Sequence, residues 1–124
     1  MNGQPIFADV RELLSRAYAA FNARDIDAVL SMMHPEVEWP NGMEGGYVYG
    51  HDGVRAYWTR QWDLIDPLVE PQAFSPEPDG RILVEVHQRV LDKDGATLLD
   101  GQVQHIYSIR DRLVRHMEIR SDPS

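Results

Sequence analysis

The amino-acid sequence predicts an α+β domain in which three helices come first and a meander of antiparallel strands follows. Through the first half of the chain, apolar residues recur at spacings of three and four, which is typical of amphipathic helices. After residue 67 the pattern changes to alternation with a period of two, broken by turn residues, which is typical of antiparallel strands. Helices and strands segregated in this way are expected to pack as a helical layer on one face of a sheet.

The composition indicates one ordinary globular domain. The chain has 124 residues, so we expect a single domain over residues 1–124, with a polar tail at 121–124 that is expected to be disordered. Twelve basic and 20 acidic residues give a net charge of −8, which argues against nucleic-acid and anionic-membrane surfaces as partners. The chain has no cysteine, which excludes a thiolate nucleophile and a cysteine-ligated metal. No signal-peptide pattern or long apolar run is present, so a cytoplasmic protein is expected.

Three helices are predicted before residue 67. The first carries an apolar stripe from residue 7 to residue 21 and ends near Asn22. Asp25 then caps a second, shorter helix, which ends before Pro35 because a residue that precedes proline disfavours the helical conformation. A third helix begins near Asp52. Its apolar face consists of Val54, Tyr57, Trp58 and Trp62.

Five strands are predicted, over residues 36–39, 68–75, 81–91, 98–110 and 113–120. Pro71 interrupts the second of them, which is therefore expected to be bulged or to lie at a sheet edge. Turn residues at 92–95 predict a hairpin between the two long strands. A tight turn at Asp111 and Arg112 returns the chain into the last strand.

Three strings of the sequence are AYAAFNARDIDAVLSMMHPEVEWPNG near its start, GHDGVRAYWTRQW in its middle and QHIYSIRDRLVRHMEI near its end. In this order they resemble the start, the third helix and the closing strand pair of the nuclear transport factor 2-like superfamily, especially of its SnoaL-like and ketosteroid-isomerase-like branches. The resemblance covers about residues 7–120. It implies a cone-shaped, cystatin-like fold in which three N-terminal helices pack on a strongly curved antiparallel sheet. One such scaffold hosts isomerases, cyclases, dehydratases, epoxide hydrolases and binding proteins without activity.

The resemblance carries over to the individual site residues only in part. Trp39 stands where the ketosteroid isomerases have a general-base aspartate, and His105 stands where they have an oxyanion-hole aspartate. Their oxyanion-hole tyrosine falls at Ala17, with Tyr18 one residue away. The Asp–Arg–Asp set of the related epoxide hydrolases is not found either. The resemblance therefore implies a pocket of the same shape with a different chemistry.

The tight turn at 111–112 predicts the register of the last two strands. In that register Glu118 lies opposite His105, and His116 lies opposite Tyr107, all on the face that the resemblance assigns to the cavity. We therefore expect His105 to transfer a proton, with Glu118 orienting its ring and the pKa of His105 held near neutrality. Tyr107 and His116 are expected to hold the substrate's oxygen. The alternative is a cross-strand pair that only satisfies buried polar groups.

Aromatic and amide residues are candidates for ligand contacts. Trp39 and Trp58 are expected to line the pocket, on the geometry that the resemblance implies, whereas Tyr57 and Trp62 are expected to be core residues. Gln88 shares a strand face with valines, so it needs a polar partner, which a ligand or a pocket water would supply.

The glycine-rich segment at 42–50 lacks the lysine of a phosphate-binding loop and the fingerprint of a dinucleotide site. It is expected to form a rim on which Tyr47 and Tyr49 cap the cavity mouth. The five histidines show no metal-binding spacing, so no metal is expected. No organic cofactor is expected either.

Two functions remain open from the sequence. The first is a SnoaL-like enzyme, an isomerase, cyclase or lyase, that uses acid/base chemistry on a small, flat, oxygenated molecule in an apolar pocket. The second is a ligand-binding or accessory module without activity. In either case a homodimer is expected through the convex face of the sheet, which is predicted to expose Ile106, Met117 and Ile119.

Overall fold

The structure, a computed structural model, describes residues 7–121, so all but the first residue of the predicted tail lies outside the described residues. The described part forms three helices and six strands. In chain order they are α1 (Phe7–Asn22), α2 (Ile26–Leu30), β1 (Met33–Pro40), β2 (Tyr47–Tyr49), α3 (Gly50–Leu64), β3 (Asp66–Pro76), β4 (Ile82–Leu91), β5 (Thr97–Arg110) and β6 (Leu113–Ser121).

The six strands form one curved, mixed sheet in the order β2-β1-β6-β5-β4-β3. Neighbouring strands are antiparallel except for β1 and β6, which run parallel. The prediction of a purely antiparallel sheet was therefore wrong at this pair. The predicted strands 81–91, 98–110 and 113–120 are all present as a meander, with the hairpin turn and the Asp111–Arg112 turn where expected.

One backbone conformation and two local hydrogen bonds end α1 and begin α2. Arg24 adopts a left-handed conformation with φ of 63°, and the Asp25 N–H donates to the Ala20 carbonyl at 2.9 Å, which closes the end of α1. The Asp25 side chain accepts from the Ala28 N–H at 3.2 Å and caps α2, as predicted. The helix ends at Leu30, earlier than expected, because residues from Met33 onward belong to β1.

The last residue of α1, Asn22, forms two hydrogen bonds with the edge strand β3. Asn22 accepts a hydrogen bond from the Val69 N–H at 3.0 Å and donates one to the Val69 carbonyl at 2.7 Å. The predicted edge position is confirmed, and the predicted irregularity is found between Pro71 and Ala73. These two bonds hold the helical layer against one end of the sheet.

The hydrophobic core lies between the helices and the concave face of the sheet. From α1 and α3 it receives buried residues at helical spacing, and from the strands it receives alternate residues. Its most completely buried side chains include Leu14, Val37, Val54, Trp58, Val84 and Met117.

The register of β5 and β6 departs from the prediction at a single bulge. Next to the turn the predicted pairing is confirmed, since Ile109 lies opposite Val114. Immediately beyond it Ser108 lies opposite His116, so Arg115 is an extra residue in β6. Because side chains alternate between the two faces, one extra residue moves every later side chain of β6 to the other face.

The predicted pairing of His105 with Glu118 is therefore wrong. Beyond the bulge, the pairs are Tyr107 with Met117, Ile106 with Glu118, and His105 with Ile119. The predicted convex set is wrong as well, because Met117 and Ile119 lie on the concave face. Ile106 does lie on the convex face, but it is fully buried within the chain.

Candidate functional site

A cavity of about 250 Å³ lies between the helices and the concave face of the sheet. Its walls come from all three helices, from five strands and from the loop after β1. Residues from the helices and the loop are Ala17, Tyr18, Phe21, Val29, Gly42, Met43, Tyr57, Trp58 and Gln61; residues from the strands include Trp39, Val69, Gln88, Val90, Leu99, His105, Tyr107, Val114, Met117 and Ile119.

The lining is apolar and uncharged. Within residues 7–121, no aspartate, glutamate, lysine or arginine lines this cavity. Its polar side chains are one histidine, three tyrosines, two tryptophans and two glutamines. An uncharged, mostly apolar ligand with a few oxygen atoms matches such a surface, since an ion would lose its hydration without gaining a countercharge.

Three buried side chains form a hydrogen-bonded chain that ends at the cavity. The Tyr107 hydroxyl donates to the Tyr18 oxygen at 2.8 Å, and the Tyr18 oxygen lies 2.7 Å from His105 Nδ1. Tyr18 comes from α1, while His105 and Tyr107 are two residues apart on β5 and therefore share its concave face. The rings of Tyr18 and His105 are also nearly parallel, with centroids 5.9 Å apart.

The direction of this chain determines which nitrogen of His105 carries the hydrogen. Because Tyr18 accepts from Tyr107, its own hydrogen is free to be donated to Nδ1, and the hydrogen of the neutral ring then lies on Nε2. Any arrangement with the hydrogen on Nδ1 would leave a buried tyrosine hydrogen, that of Tyr107 or that of Tyr18, without an acceptor among residues 7–121, which costs about 1–3 kcal/mol. Nε2 has no hydrogen-bond partner among the same residues, so His105 presents an N–H donor to the cavity.

Burial sets the protonation states of the same groups. It lowers the pKa of His105 from 6.5 to about 4, so the ring is neutral at pH 7. Burial also raises the pKa of Tyr107 and that of Tyr18, the latter raised further by the neighbouring Tyr107. The expectation that a carboxylate would hold the pKa of His105 near neutrality is wrong, because burial alone shifts this pKa and no carboxylate among the described residues contacts the ring.

The predicted ligand residues divide between two places. Trp39, Trp58, Gln88 and Tyr107 line the cavity together with His105. The Trp39 and Trp58 rings meet edge to face with centroids 5.5 Å apart, so they form one aromatic wall.

Glu118 and His116 lie on the other face of the sheet. Glu118 accepts a hydrogen bond from Arg81 at 3.2 Å, and His116 Nδ1 lies 2.9 Å from a carboxylate oxygen of Glu38. The prediction that His116 holds a substrate oxygen with Tyr107 is therefore wrong for the same reason as the Glu118 pairing. The hydrogen bond from His116 lowers the pKa of Glu38.

Tyr47 and Tyr49 do not cap the cavity mouth. They lie on β2, and the Tyr47 ring stacks on His116 at 5.3 Å, on the outer side of the sheet. From the glycine-rich segment after β1, the residues that line the cavity are instead Gly42 and Met43. Among the described residues, no group of three or more histidines and carboxylates could hold a metal ion, and no helix could span a membrane.

Sequence reasoning missed Tyr18, Tyr57 and Gln61 as cavity residues. Tyr18 continues the stripe of Leu14 and Phe21 at spacings of four and three, so its inward direction was visible in the pattern. Its pairing with His105 was not, because it joins two segments 87 residues apart.

The chain is similar to a known protein family and to several solved structures. A family model described as the SnoaL-like domain matches residues 14–117. The crystal structure of TerC co-crystallized with polyporic acid is 30% identical, with 92% of each chain covered and a TM-score of 0.79. An NTF2-like protein from Burkholderia pseudomallei K96243 is 26% identical, with 92% of this chain and 91% of the other covered and a TM-score of 0.79.

A more distant structure shares the fold. A Mycobacterium tuberculosis protein in complex with estradiol-17beta-hemisuccinate is 15% identical, with 93% of this chain and 95% of the other covered and a TM-score of 0.78. No curated protein matches the sequence at a significant level. The solved structures establish that this mixed sheet with its helices has the nuclear transport factor 2-like fold.

Proposed function

We propose that this chain, which belongs to the SnoaL-like domain family, binds a small, flat, oxygenated organic molecule and stabilises negative charge on one of its oxygens. The observation that carries the proposal is the chain from Tyr107 through Tyr18 to His105, which ends in an N–H group inside an uncharged cavity. The reactions that suit such a site are isomerisations, cyclisations and eliminations that pass through an enolate. That the related TerC was crystallised with polyporic acid supports a small organic ligand for this cavity.

His105 acts here as a donor, because its Nδ1 accepts from Tyr18 and its neutral ring is a weak base. A fixed donor that is aimed at a developing oxyanion needs no reorganisation during the reaction, and its effect is strong in a site with few charges. Removing one such donor typically costs about 100- to 1,000-fold in rate. Protonated His105 is not required, since a neutral imidazole can polarise a carbonyl group.

The aromatic wall supplies the binding energy for a flat ligand. Trp39 and Trp58 present ring surface to the cavity, and Gln88 adds an amide that a ligand can satisfy. Flat bicyclic ketones therefore serve as probes of the site, because they combine an apolar ring with one acceptor oxygen.

Deuterium exchange of 1-tetralone in heavy water tests the proposal. In this reaction the C2–H bond breaks, its electron pair moves toward the carbonyl oxygen, the proton passes to water, and a deuteron from solvent later bonds to C2. We expect the protein to accelerate the exchange, and we expect the exchange rate with His105→Phe to be about 100-fold lower than with the unaltered protein. His87→Gln is the matched control, because His87 lies on the outer face beside Asp100.

A ligand-binding role without turnover is the second candidate, and one observation favours it. No carboxylate lines the cavity within residues 7–121, so a strong protein base is absent from that lining. Under this alternative, 1-tetralone quenches the tryptophan fluorescence through binding, but its deuterium exchange runs at the rate of buffer alone. Failure of 1-tetralone to bind would contradict both candidates.

We also infer a homodimer that forms through the outer face of the sheet. Tyr49 is 65% exposed and lies opposite Glu38 on that face, beside His116. Tyrosine is enriched in protein interfaces, and the rim of such an interface is polar. Light scattering should give twice the chain mass of 14.2 kDa, and Tyr49→Glu should shift it toward the single mass.

A further inference from the structure

The hydroxyl oxygen of Tyr57 accepts two hydrogen bonds, whereas its hydrogen donates none to residues 7–121. The residue is buried on α3 and lines the cavity. Its oxygen accepts from the Gly42 N–H at 3.0 Å and from Gln61 Nε2 at 3.1 Å. A phenolic oxygen accepts at most two such bonds. The hydroxyl hydrogen has no acceptor among residues 7–121.

The surroundings of this hydroxyl favour a ligand as its acceptor. Gly42, Gln61 and Met43 line the same cavity, so the hydroxyl belongs to a second polar region in the lining, contributed by α3 and the loop after β1. A buried hydroxyl hydrogen is rarely left without a partner in a working protein. Two N–H groups that donate to the oxygen also polarise the O–H bond, which makes the group a better donor.

We propose that Tyr57 is a ligand-binding residue whose O–H donates to a second oxygen of the ligand. The ligand class is then a flat molecule with two acceptor oxygens, such as a quinone, a diketone or a hydroxyketone. This rests on the proposed function, in which His105 binds the first oxygen. Tyr57 and His105 come from different elements, so the two donors fix the ligand's orientation as well as its place.

The alternative is an internal acceptor for the same hydrogen. If the Gln61 amide were turned around, its oxygen would accept from Tyr57, and the group would serve only to hold α3 against the loop. The two possibilities differ in whether the Tyr57 hydroxyl raises the affinity for a ligand with two oxygens.

Binding of 1,4-naphthoquinone and 1-tetralone, measured by quenching of tryptophan fluorescence, separates these possibilities. For Tyr57→Phe we expect the affinity for the quinone to fall by about 3- to 10-fold, while that for the one-oxygen ketone changes by less than about twofold. Tyr47→Phe is the matched control, because Tyr47 stacks on His116 on the outer side of the sheet and lies outside the cavity lining. The quinone cannot alkylate thiols here, because the chain has no cysteine.

Infrared spectra of the bound quinone give a second measurement. We expect both carbonyl bands to lie below their frequencies in an apolar solvent. Tyr57→Phe should return one band toward that reference, and His105→Phe should return the other. If Tyr57→Phe changes neither the affinity nor the bands while His105→Phe changes both, the Tyr57 proposal is overturned and the proposed function stands. If His105→Phe has no effect and Tyr57→Phe does, the proposed function fails instead. Absence of quinone binding to the unaltered protein overturns both.

Discussion

Ile119 lies directly opposite His105 in the sheet, and the neighbouring Glu118 faces the other way. The extra residue Arg115 causes this arrangement by shifting β6 by one position against β5. A hydrocarbon side chain therefore stands where a carboxylate was expected. Among residues 7–121, the hydrogen-bonding partner of His105 is the Tyr18 hydroxyl from α1 rather than a carboxylate. Burial lowers the pKa of the ring and keeps it neutral at pH 7.

The register predicts opposite outcomes for two adjacent residues of β6. Met117→Ala should lower the free energy of unfolding by about 2–5 kcal/mol, because Met117 is buried in the core. Glu118→Ala should lower it by less than about 1 kcal/mol, because Glu118 is half-buried and pairs with Arg81 on the outer face. Urea unfolding of both variants measures this. Equal effects, or the reverse order, would contradict the register.

Tyr18→Phe should release the His105 ring from a single tautomer. Without the hydroxyl, Nδ1 loses its donor and Tyr107 loses its acceptor. Nitrogen NMR of the histidine side chains should show hydrogen on Nε2 alone in the unaltered protein and a mixture in the variant. We expect a loss of about 1–3 kcal/mol in stability from the orphaned Tyr107 hydroxyl. Hydrogen on Nδ1 in the unaltered protein would show that the ring donates to Tyr18, which would contradict the proposed tautomer.

The stability of the protein should fall in mildly acidic solution partly because of His105. Its pKa is about 4 in the folded chain, below the ordinary value of 6.5, so the unfolded chain binds the proton more readily. The contribution is therefore fully present above pH 6.5 and is lost as the pH falls from 6.5 to 4. Over that range it amounts to about 3 kcal/mol. Urea unfolding of the unaltered protein and of His105→Gln at several pH values measures this contribution as the difference between the two free energies of unfolding, because His105 is the titratable group that the variant lacks. Parallel curves between pH 7 and pH 4 would rule out the buried neutral state.

Asn22→Ala should destabilise the junction between α1 and β3. The substitution leaves both the N–H and the carbonyl of Val69 without their side-chain partner, so we expect a loss of about 1–3 kcal/mol. Asn22→Asp keeps an acceptor for the N–H and should lose less. Urea unfolding compares the two variants. If both unfold as the unaltered protein does, the side chain does not fasten the strand.

The features that sequence predicted are mostly local. The stripe of α1, the Asp25 cap and the turn at 111–112 depend on residues close together in the chain, and all three are found. The parallel pairing of β1 with β6 could not be predicted from the sequence, because it joins segments about 80 residues apart and leaves no periodic signal.

The bulge at Arg115 did leave a trace in the sequence. Val114 is apolar at an even position, whereas Met117 and Ile119 are apolar at odd positions, so the buried face changes parity between them. A strand that keeps one face buried can change parity only by an extra residue. This change of parity predicts that Glu118 lies on the face outside the cavity. The Tyr18–His105 contact would still have required the packing of α1 on the sheet.

The bonds between Asn22 and Val69 also bear on how the protein behaves at high concentration. Since β3 is the last strand of the sheet, its outer backbone groups are a potential template for a strand of another molecule. In an antiparallel strand the outward groups belong to alternate residues, which here are Pro67, Val69 and Pro71. The prolines have no N–H to offer, and the Val69 N–H is already occupied by Asn22. This stretch of the free edge therefore offers no N–H group to a strand of another molecule, which disfavours intermolecular strand pairing there.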